Sequence, residues 1–162
     1  MELTNKRHLE AAQGWLELGN RQEANEELEL ISPRMRAHPD VLSVRCRIYC
    51  DAQKWDYLAE VANALCRLLP ESTFGPLHLA HALRKLERTI EARDALSAAA
   101  HKFPAEWRIA YQLACCSCQL GNVKEAYQWL EKAIDVAGKT DIRQKALDDP
   151  DLERLWNDIA ET

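Results

Sequence analysis

A repeat of 34 residues constrains the possible folds of this chain more than any other feature of its sequence. Counting back from Ala126 in steps of 34 residues gives Ala92, Leu58 and Ala24. Leu130 heads a second column of apolar residues in the same register, and four copies follow one another without an insertion over about residues 5–138. Such a period predicts a stack of small units, each of which buries its apolar face against the next.

Each copy divides into two helical patterns of about thirteen to sixteen residues. In the last copy Ala126, Leu130 and Ala133 fall at i, i+4 and i+7, which places them on one face of a helix. The turn signal Gly121-Asn122 separates the two patterns of this copy, and Gly19-Asn20 lies at the matching place in the first copy. The sequence therefore predicts an all-α fold built from helix–turn–helix units.

Prolines mark where several of these helices end. Pro70 and Pro104 close the second and third copies, one period apart. Pro33 falls inside the second helical pattern of the first copy, where it predicts a kink or an early stop, because proline lacks the backbone donor that a helix interior needs.

The chain beyond Gly138 departs from the repeat. Asp149-Pro150 has the residue types of a helix N-cap and first helical position. A terminal helix is expected to follow, with one apolar face formed by Leu152, Leu155, Trp156 and Ile159. A short helix over residues 141–147 is expected to lead into it, and the two would cover the exposed flank of the last repeat.

These columns resemble the tetratricopeptide repeat (TPR), a helix–turn–helix unit of 34 residues. The small residue of its first helix matches Ala12, Cys46, Ala80 and Ala114. The alanine of its second helix matches Ala24, Ala92 and Ala126, whereas Leu58 departs, and the family's early tryptophan is absent from every copy. The resemblance implies a right-handed α-solenoid of four repeats, at about residues 5–38, 39–72, 73–106 and 107–138, with capping helices over 139–162.

Three thiols within four positions, Cys115, Cys116 and Cys118, raise the question of metal or redox chemistry. Cys115 and Cys118 share a helix face, and His78 and His81 have the same i, i+3 spacing one repeat earlier. A zinc site of these two cysteines and two histidines is therefore one alternative. The other is that cysteine acts here as a small apolar residue, and we favour it because that is the usual behaviour of a buried thiol.

The sequence contains no pattern that is typical of a catalytic or cofactor site. Gly138-Lys139-Thr140 resembles the end of a phosphate-binding loop but lacks the preceding glycine and strand, so a helix-ending glycine explains it better. The net charge of −5 argues against a nucleic-acid partner. With no apolar signal core at the N-terminus and no long apolar run, the sequence favours a cytoplasmic, non-catalytic protein without a cofactor or a membrane span.

The resemblance implies a concave groove lined by the first helix of each repeat. The groove positions of the first two copies carry most of the acids. They are Lys6, Leu9, Glu10, Gln13, Leu16, Glu17, Asp40, Ser43, Val44, Arg47, Cys50 and Asp51. The residues expected to bind a ligand are Arg47, Phe74, Leu77, His81, Arg84, Arg108 and Tyr111. An acidic group of the ligand would meet Arg84 and Arg108, and an apolar anchor would pack on the aromatic side chains.

The expected function is that of an adaptor or scaffold that binds a peptide or protein segment in this groove. Two alternatives share the same fold. One is a small TPR chaperone for secreted proteins, and the other is a structural scaffold that associates with itself through its exposed ends. The metal or redox protein described above is a further alternative.

Overall fold

The computed structural model describes residues 2–138 and 141–160, and these residues form helices and turns without any strand. Lys139, Thr140 and the last two residues of the predicted capping segment 139–162 lie outside the described residues. The α-helices are α1 (Leu3–Glu17), α2 (Arg21–Leu30), α3 (Pro39–Asp51), α4 (Trp55–Leu68), α5 (Phe74–Lys85), α6 (Thr89–Lys102), α7 (Trp107–Gln119), α8 (Val123–Ala137), α9 (Asp141–Leu147) and α10 (Trp156–Ala160).

The chain divides into two compact units, an N-terminal unit of Met1–Ala82 and a C-terminal unit of Leu83–Thr162. In the N-terminal unit α1 pairs with α2, and α3 pairs with α4. The small residues of the 34-residue columns lie at the centre of these pairs, where Ala12, Ala24 and Cys46 are fully buried. Small side chains at these positions let the helix axes approach closely, because a larger group would overpack the interface.

Gly75 marks another close approach in the N-terminal unit. A Cβ atom at this position would lie 2.8 Å from the backbone nitrogen of Cys66 and 2.9 Å from its Sγ atom. Since the backbone of Cys66 cannot move far, only glycine lets the start of α5 pack this tightly on the end of α4.

The C-terminal unit is built around α7, which packs against α6, α8 and a C-terminal 3-10 helix (Pro150–Leu155). Nine of its thirteen residues are buried: Ile109, Ala110, Tyr111, Leu113, Ala114, Cys115, Cys116, Ser117 and Cys118. A helix that is buried on nearly all sides has few polar residues, which is the composition that the sequence of α7 shows.

The turns that join α1 to α2, α3 to α4, α5 to α6 and α7 to α8 share a left-handed residue. Gly19 and Gly121 have φ angles of 76° and 84°, as expected for a glycine that ends a helix. Gln53 and Glu87 occupy the equivalent positions, each one period away, with φ angles of 54° and 61°. The turn geometry is therefore repeated even where the glycine is not, and Gln53 and Glu87 accept a left-handed conformation that disfavours side chains.

The predicted helix end near Pro33 is confirmed, although Pro33 lies beyond the helix rather than inside it. Helix α2 ends at Leu30, and Pro33 begins a short 3-10 helix, Pro33–Met35. Arg36 donates to the carbonyl oxygens of Glu29 and Ile31, at 2.7 and 3.1 Å. These bonds satisfy carbonyl groups that the early end of the helix would otherwise leave without a partner.

The predicted cap at Asp149-Pro150 is also confirmed, since the carboxylate of Asp149 accepts from the backbone N–H of Asp151 at 3.0 Å. The expectation of one continuous α-helix after it was wrong. A 3-10 helix runs to Leu155 and α10 follows it. The 3-10 spacing of three residues per turn puts Leu152 and Leu155 on the same side, and both are fully buried.

None of the helices in the described ranges is both long enough and apolar enough to cross a membrane.

Replacing Gln53 by glycine is expected to raise the free energy of unfolding by about 0.5–1 kcal/mol. Glycine relieves the strain of the left-handed conformation in the folded state. This gain is larger than the loss of stability that comes from the greater conformational entropy of glycine in the unfolded chain. Urea denaturation of the wild type and the Gln53→Gly variant measures the difference.

Gln53→Ala is the matched control, because alanine keeps the strain and should leave the stability within about 0.5 kcal/mol of the wild type. Equal stability of the glycine and alanine variants would mean that this turn stores no strain.

Candidate functional site

Four of the residues predicted to bind a ligand lie in the N-terminal unit. Phe74 stacks on His78 with 3.9 Å between the ring centroids, and His81 meets Trp55 edge-on at 5.4 Å. Leu77 is buried, whereas Arg47 is exposed on α3. The aromatic side chains therefore pack against residues of their own unit.

The C-terminal unit brings Arg84 and Tyr111 together around the chain's own C-terminal segment. The guanidinium of Arg84 forms an ion pair with the carboxylate of Asp151. The hydroxyl of Tyr111 donates to Oδ2 of Asp149 at 2.8 Å, and Nε2 of Gln119 donates to Oδ1 of Asp151 at 3.0 Å. In this structure the carboxylate opposite Arg84 belongs to the chain itself. We name these five residues the carboxylate cluster.

Burial makes it costly in free energy to leave a charged group of the carboxylate cluster without a partner. The side chain of Arg84 is only 8% exposed and that of Asp151 is 32% exposed. Nε of Arg84 is buried and has no hydrogen-bond partner among the described residues. Burial, followed by the hydrogen bond to Asp149, raises the pKa of Tyr111 well above its usual value. Tyr111 therefore stays protonated and acts as a hydrogen-bond donor.

Arg108 takes no part in the carboxylate cluster within the described contacts. It binds its neighbour Glu106 through two hydrogen bonds, from Nε at 2.8 Å and from a terminal nitrogen at 2.7 Å. The hydrogen bond to Glu106 raises the pKa of Arg108, whose side chain is 55% exposed. A paired and hydrated guanidinium of this kind contributes little to stability.

The three thiols of α7 are packed in the core. Cys115, Cys116 and Cys118 are at most 2% exposed, as the packing role predicts. Burial raises the pKa of Cys116 to about 11 and also raises the pKa of Cys115 and of Cys118. Since the thiolate is the reactive form of cysteine, these residues are poorly suited to redox or nucleophilic chemistry.

The structure also gives no support to the zinc alternative. Across residues 2–138 and 141–160, no group of three His, Cys, Asp or Glu side chains is placed to hold a metal ion. His78 directs Nδ1 to the carbonyl oxygen of Phe74 at 2.9 Å, and His81 packs on Trp55. Both imidazoles have contacts of their own in the N-terminal unit.

An open groove lies between α1 and α3 in the N-terminal unit. Its volume is about 300 Å³, and its lining residues are Lys6, Leu9, Glu10, Gln13, Asp40 and Ser43. All six are groove positions implied by the TPR resemblance. We call this the α1–α3 groove.

The floor and the rim of the α1–α3 groove differ in chemistry. Leu9 is buried to 7% exposure and forms an apolar floor. Lys6 and Glu10 lie 3.7 Å apart on the rim, with side chains 63% and 60% exposed. Asp40 adds a second exposed carboxylate, 65% exposed and 3.5 Å from Nδ1 of His38. The groove therefore combines a small apolar surface with a rim of net negative charge. The sequence-based choice of ligand residues included none of these groove-lining residues, because it followed arginine and aromatic side chains.

Solved structures of TPR proteins resemble this one over most of its length. A MamA protein from Desulfovibrio magneticus RS-1 has a TM-score of 0.78 and 17% identity, covering 99% of this chain and 96% of that chain. A thermophilic TPR protein from Thermus thermophilus has a TM-score of 0.74 and 18% identity, covering 96% and 82%. YrrB, described as a TPR protein with an unusual peptide-binding site, has a TM-score of 0.72 and 16% identity, covering 85% and 71%.

These likenesses show that the chain has a TPR-type repeat fold, and they confirm the fold class predicted from the sequence. No family model matches the sequence, and no curated protein does. At this level of identity the likeness establishes the fold alone. Any binding partner has to be inferred from the residues of this chain.

Replacing Asp151 by asparagine is expected to lower the free energy of unfolding by about 2–3 kcal/mol. The substitution leaves the buried guanidinium of Arg84 without a charged partner, and breaking one side of a buried pair is costly. Urea denaturation measures the loss.

Glu91→Gln is the control, because it removes one carboxylate from the exposed Arg88–Glu91 pair and should cost less than about 1 kcal/mol. The double variant Arg84→Met/Asp151→Leu should recover much of the loss, since apolar residues remove both charges together. A loss no larger for Asp151→Asn than for Glu91→Gln would contradict the account of the carboxylate cluster.

The thiols of Cys46, Cys115 and Cys116 are expected to resist a chromogenic disulfide reagent at about pH 8. Burial raises the pKa of Cys46 to about 12 and keeps all three thiols protonated at that pH. Mass spectrometry of the modified protein identifies which thiols have reacted. The control is the unfolded chain, in which all six cysteines should react. Rapid modification of any of the three in the native protein would show that its helix opens easily.

Proposed function

We propose that this chain is a non-catalytic protein-interaction module that binds a segment of a partner protein in the α1–α3 groove. The observation that carries the proposal is the lining of this groove, in which all six side chains occupy the inner-helix positions of a TPR repeat. The TPR-type fold supports it, since helical repeat arrays present extended binding surfaces. The proposal includes the division into four repeats and a capping segment.

The chemistry of the groove favours a particular kind of segment. Leu9 offers an apolar floor, while Gln13 can both donate and accept hydrogen bonds. Glu10 and Asp40 place two exposed carboxylates on the rim, and Lys6 pairs with only one of them. An extended segment would therefore place an apolar side chain over Leu9 and a basic side chain between the rim carboxylates.

Arg47 lies on the same face of α3 as Asp40 and Ser43, at i+7 and i+4, and it is exposed. We include it at the edge of the binding surface. The placement of an acidic ligand at Arg84 and Arg108 stays a prediction. In this structure Asp151 already holds Arg84, and Glu106 holds Arg108.

Selection of peptides from a random library on the immobilised protein, followed by affinity measurements, tests the proposal. Reversing the rim charge with Glu10→Lys/Asp40→Lys should lower the affinity for the selected peptides by about tenfold or more, because the basic side chain of the peptide then meets like charge. Amide chemical shifts should change on α1 and α3 when a selected peptide is added.

Glu26→Lys/Glu60→Lys is the matched control, with the same change of charge at exposed positions of α2 and α4. Its affinity should stay within about twofold of the wild type, because screening weakens charges remote from the groove. Peptides that bind equally well to the rim variant and to the wild type would place the binding surface elsewhere. Failure to select any peptide would count against a peptide-binding module.

A further inference from the structure

A second cleft in the N-terminal unit has the opposite charge from the α1–α3 groove. Its volume is about 450 Å³, and its lining residues are Arg21, Gln22, Asn25, Glu29, Arg45, Ile48, Tyr49, Ala52, Lys54 and Tyr57. It lies among α2, α3 and the start of α4. On α3, Arg45 lies two positions after Ser43 and two positions before Arg47. Two positions correspond to a rotation of about 200° around a helix. The cleft and the α1–α3 groove therefore use opposite faces of α3. We call it the basic cleft.

The single carboxylate of the basic cleft is already neutralised. Glu29 accepts a hydrogen bond from Arg45 at 2.8 Å and lies 3.2 Å from Arg36. The hydrogen bond from Arg45 lowers the pKa of Glu29, which keeps this carboxylate charged and paired. The positive charge left in the cleft belongs to Arg21 and Lys54.

Neither of these two cations has a carboxylate partner among the described residues. Arg21 donates to the backbone carbonyl oxygen of Asp51, at the end of α3. The ammonium of Lys54 lies 6.0 Å from the centre of the Tyr57 ring. This pair of cations stands out in a chain whose net charge is −5. A concave wall focuses their field, which favours an anionic ligand.

Aromatic rings form the wall beside these cations. Tyr49 and Tyr57 pack with their centroids 5.5 Å apart and their planes inclined by 32°. Tyr57 keeps 56% of its surface exposed, whereas Ile48, which also lines the cleft, is only 5% exposed. An exposed aromatic face beside cations is an arrangement that anchors interfaces between proteins.

We propose that the basic cleft binds an acidic segment of a partner protein that carries an aromatic side chain. Its carboxylates would meet Arg21 and Lys54 in charge-assisted hydrogen bonds, and its ring would pack on Tyr57. Two cations suit a short acidic peptide better than nucleic acid, whose phosphates need a far more basic surface. This surface is separate from the α1–α3 groove, and with both the module could bridge two partner segments of opposite charge.

The peptide acetyl-Glu-Glu-Trp-Glu-Glu-amide is the probe, and amide chemical shifts of the isotopically labelled full chain are the measurement. The shifts should change at Lys54, Tyr57 and their neighbours on α2 and α3. A control peptide with lysine in place of every glutamate should bind at least about tenfold more weakly. A second control, the acidic peptide with alanine in place of tryptophan, should also bind more weakly.

Two exposed positions supply the variants, so that loss of the fold does not explain loss of binding. Lys54→Glu and Tyr57→Ala should each reduce the affinity for the acidic peptide by about fivefold or more. Arg34→Glu makes the same change of charge as Lys54→Glu at an exposed residue outside the cleft. It should leave the affinity within about twofold of the wild type, because salt screens distant charges.

Equal losses of affinity for Arg34→Glu and Lys54→Glu would overturn the proposal. They would indicate that the acidic peptide is attracted by the overall charge of the surface and not by the basic cleft. Shifts confined to other surfaces, or no binding of the acidic peptide, would overturn it as well. The Glu10→Lys/Asp40→Lys variant separates the two proposals. It should lower the affinity for ligands of the α1–α3 groove and leave the affinity of the basic cleft for the acidic peptide unchanged.

Discussion

The C-terminal unit depends on the carboxylates of Asp149 and Asp151, which satisfy polar side chains of α7 and the guanidinium of Arg84 at the end of α5. Tyr111 donates to Asp149, and Arg84 and Gln119 bind Asp151. Without these carboxylates a guanidinium with 8% exposure and a buried phenol would lack partners, at a cost that packing alone does not offset. Because the carboxylates are in place, Leu152 and Leu155 can close over α7 and complete its burial. The charge pairing and the apolar packing therefore depend on each other.

This interaction changes which inner-helix residues are available to a partner. In the C-terminal unit, Arg84 and Tyr111 are occupied by the chain itself. In the N-terminal unit, the α1–α3 groove leaves the rim carboxylates of Glu10 and Asp40 exposed to solvent. A repeat sequence thus produces units of the same architecture with different surfaces, because residues outside the repeat decide which inner positions are covered. The function follows from these uncovered positions, since the fold alone is shared by proteins of different roles.

The candidate site was only partly predictable from the sequence. The TPR register placed Lys6, Leu9 and Gln13 in a groove, and the structure shows a concavity lined by them. The register could not reveal that Asp151 reaches Arg84, because the two residues are 67 positions apart and Asp151 lies outside the repeat. It also gave no sign of the basic cleft, whose residues come from α2, the other face of α3 and the first turn of α4. Side-chain partners of this kind are set by packing, which a periodic pattern does not encode.

The sequence by itself determined the helix–turn–helix period, the buried small residues and the ends of the helices. These features depend on local chemistry: alanine or cysteine where helices approach, proline where a helix stops, and a glycine turn. Only the tertiary structure decided that Gln53 and Glu87 adopt the glycine conformation, that Gly75 must remain small, and that the C-terminal cap begins as a 3-10 helix. Each of these follows from the packing of helices against one another, which overrides local preference once the core has formed.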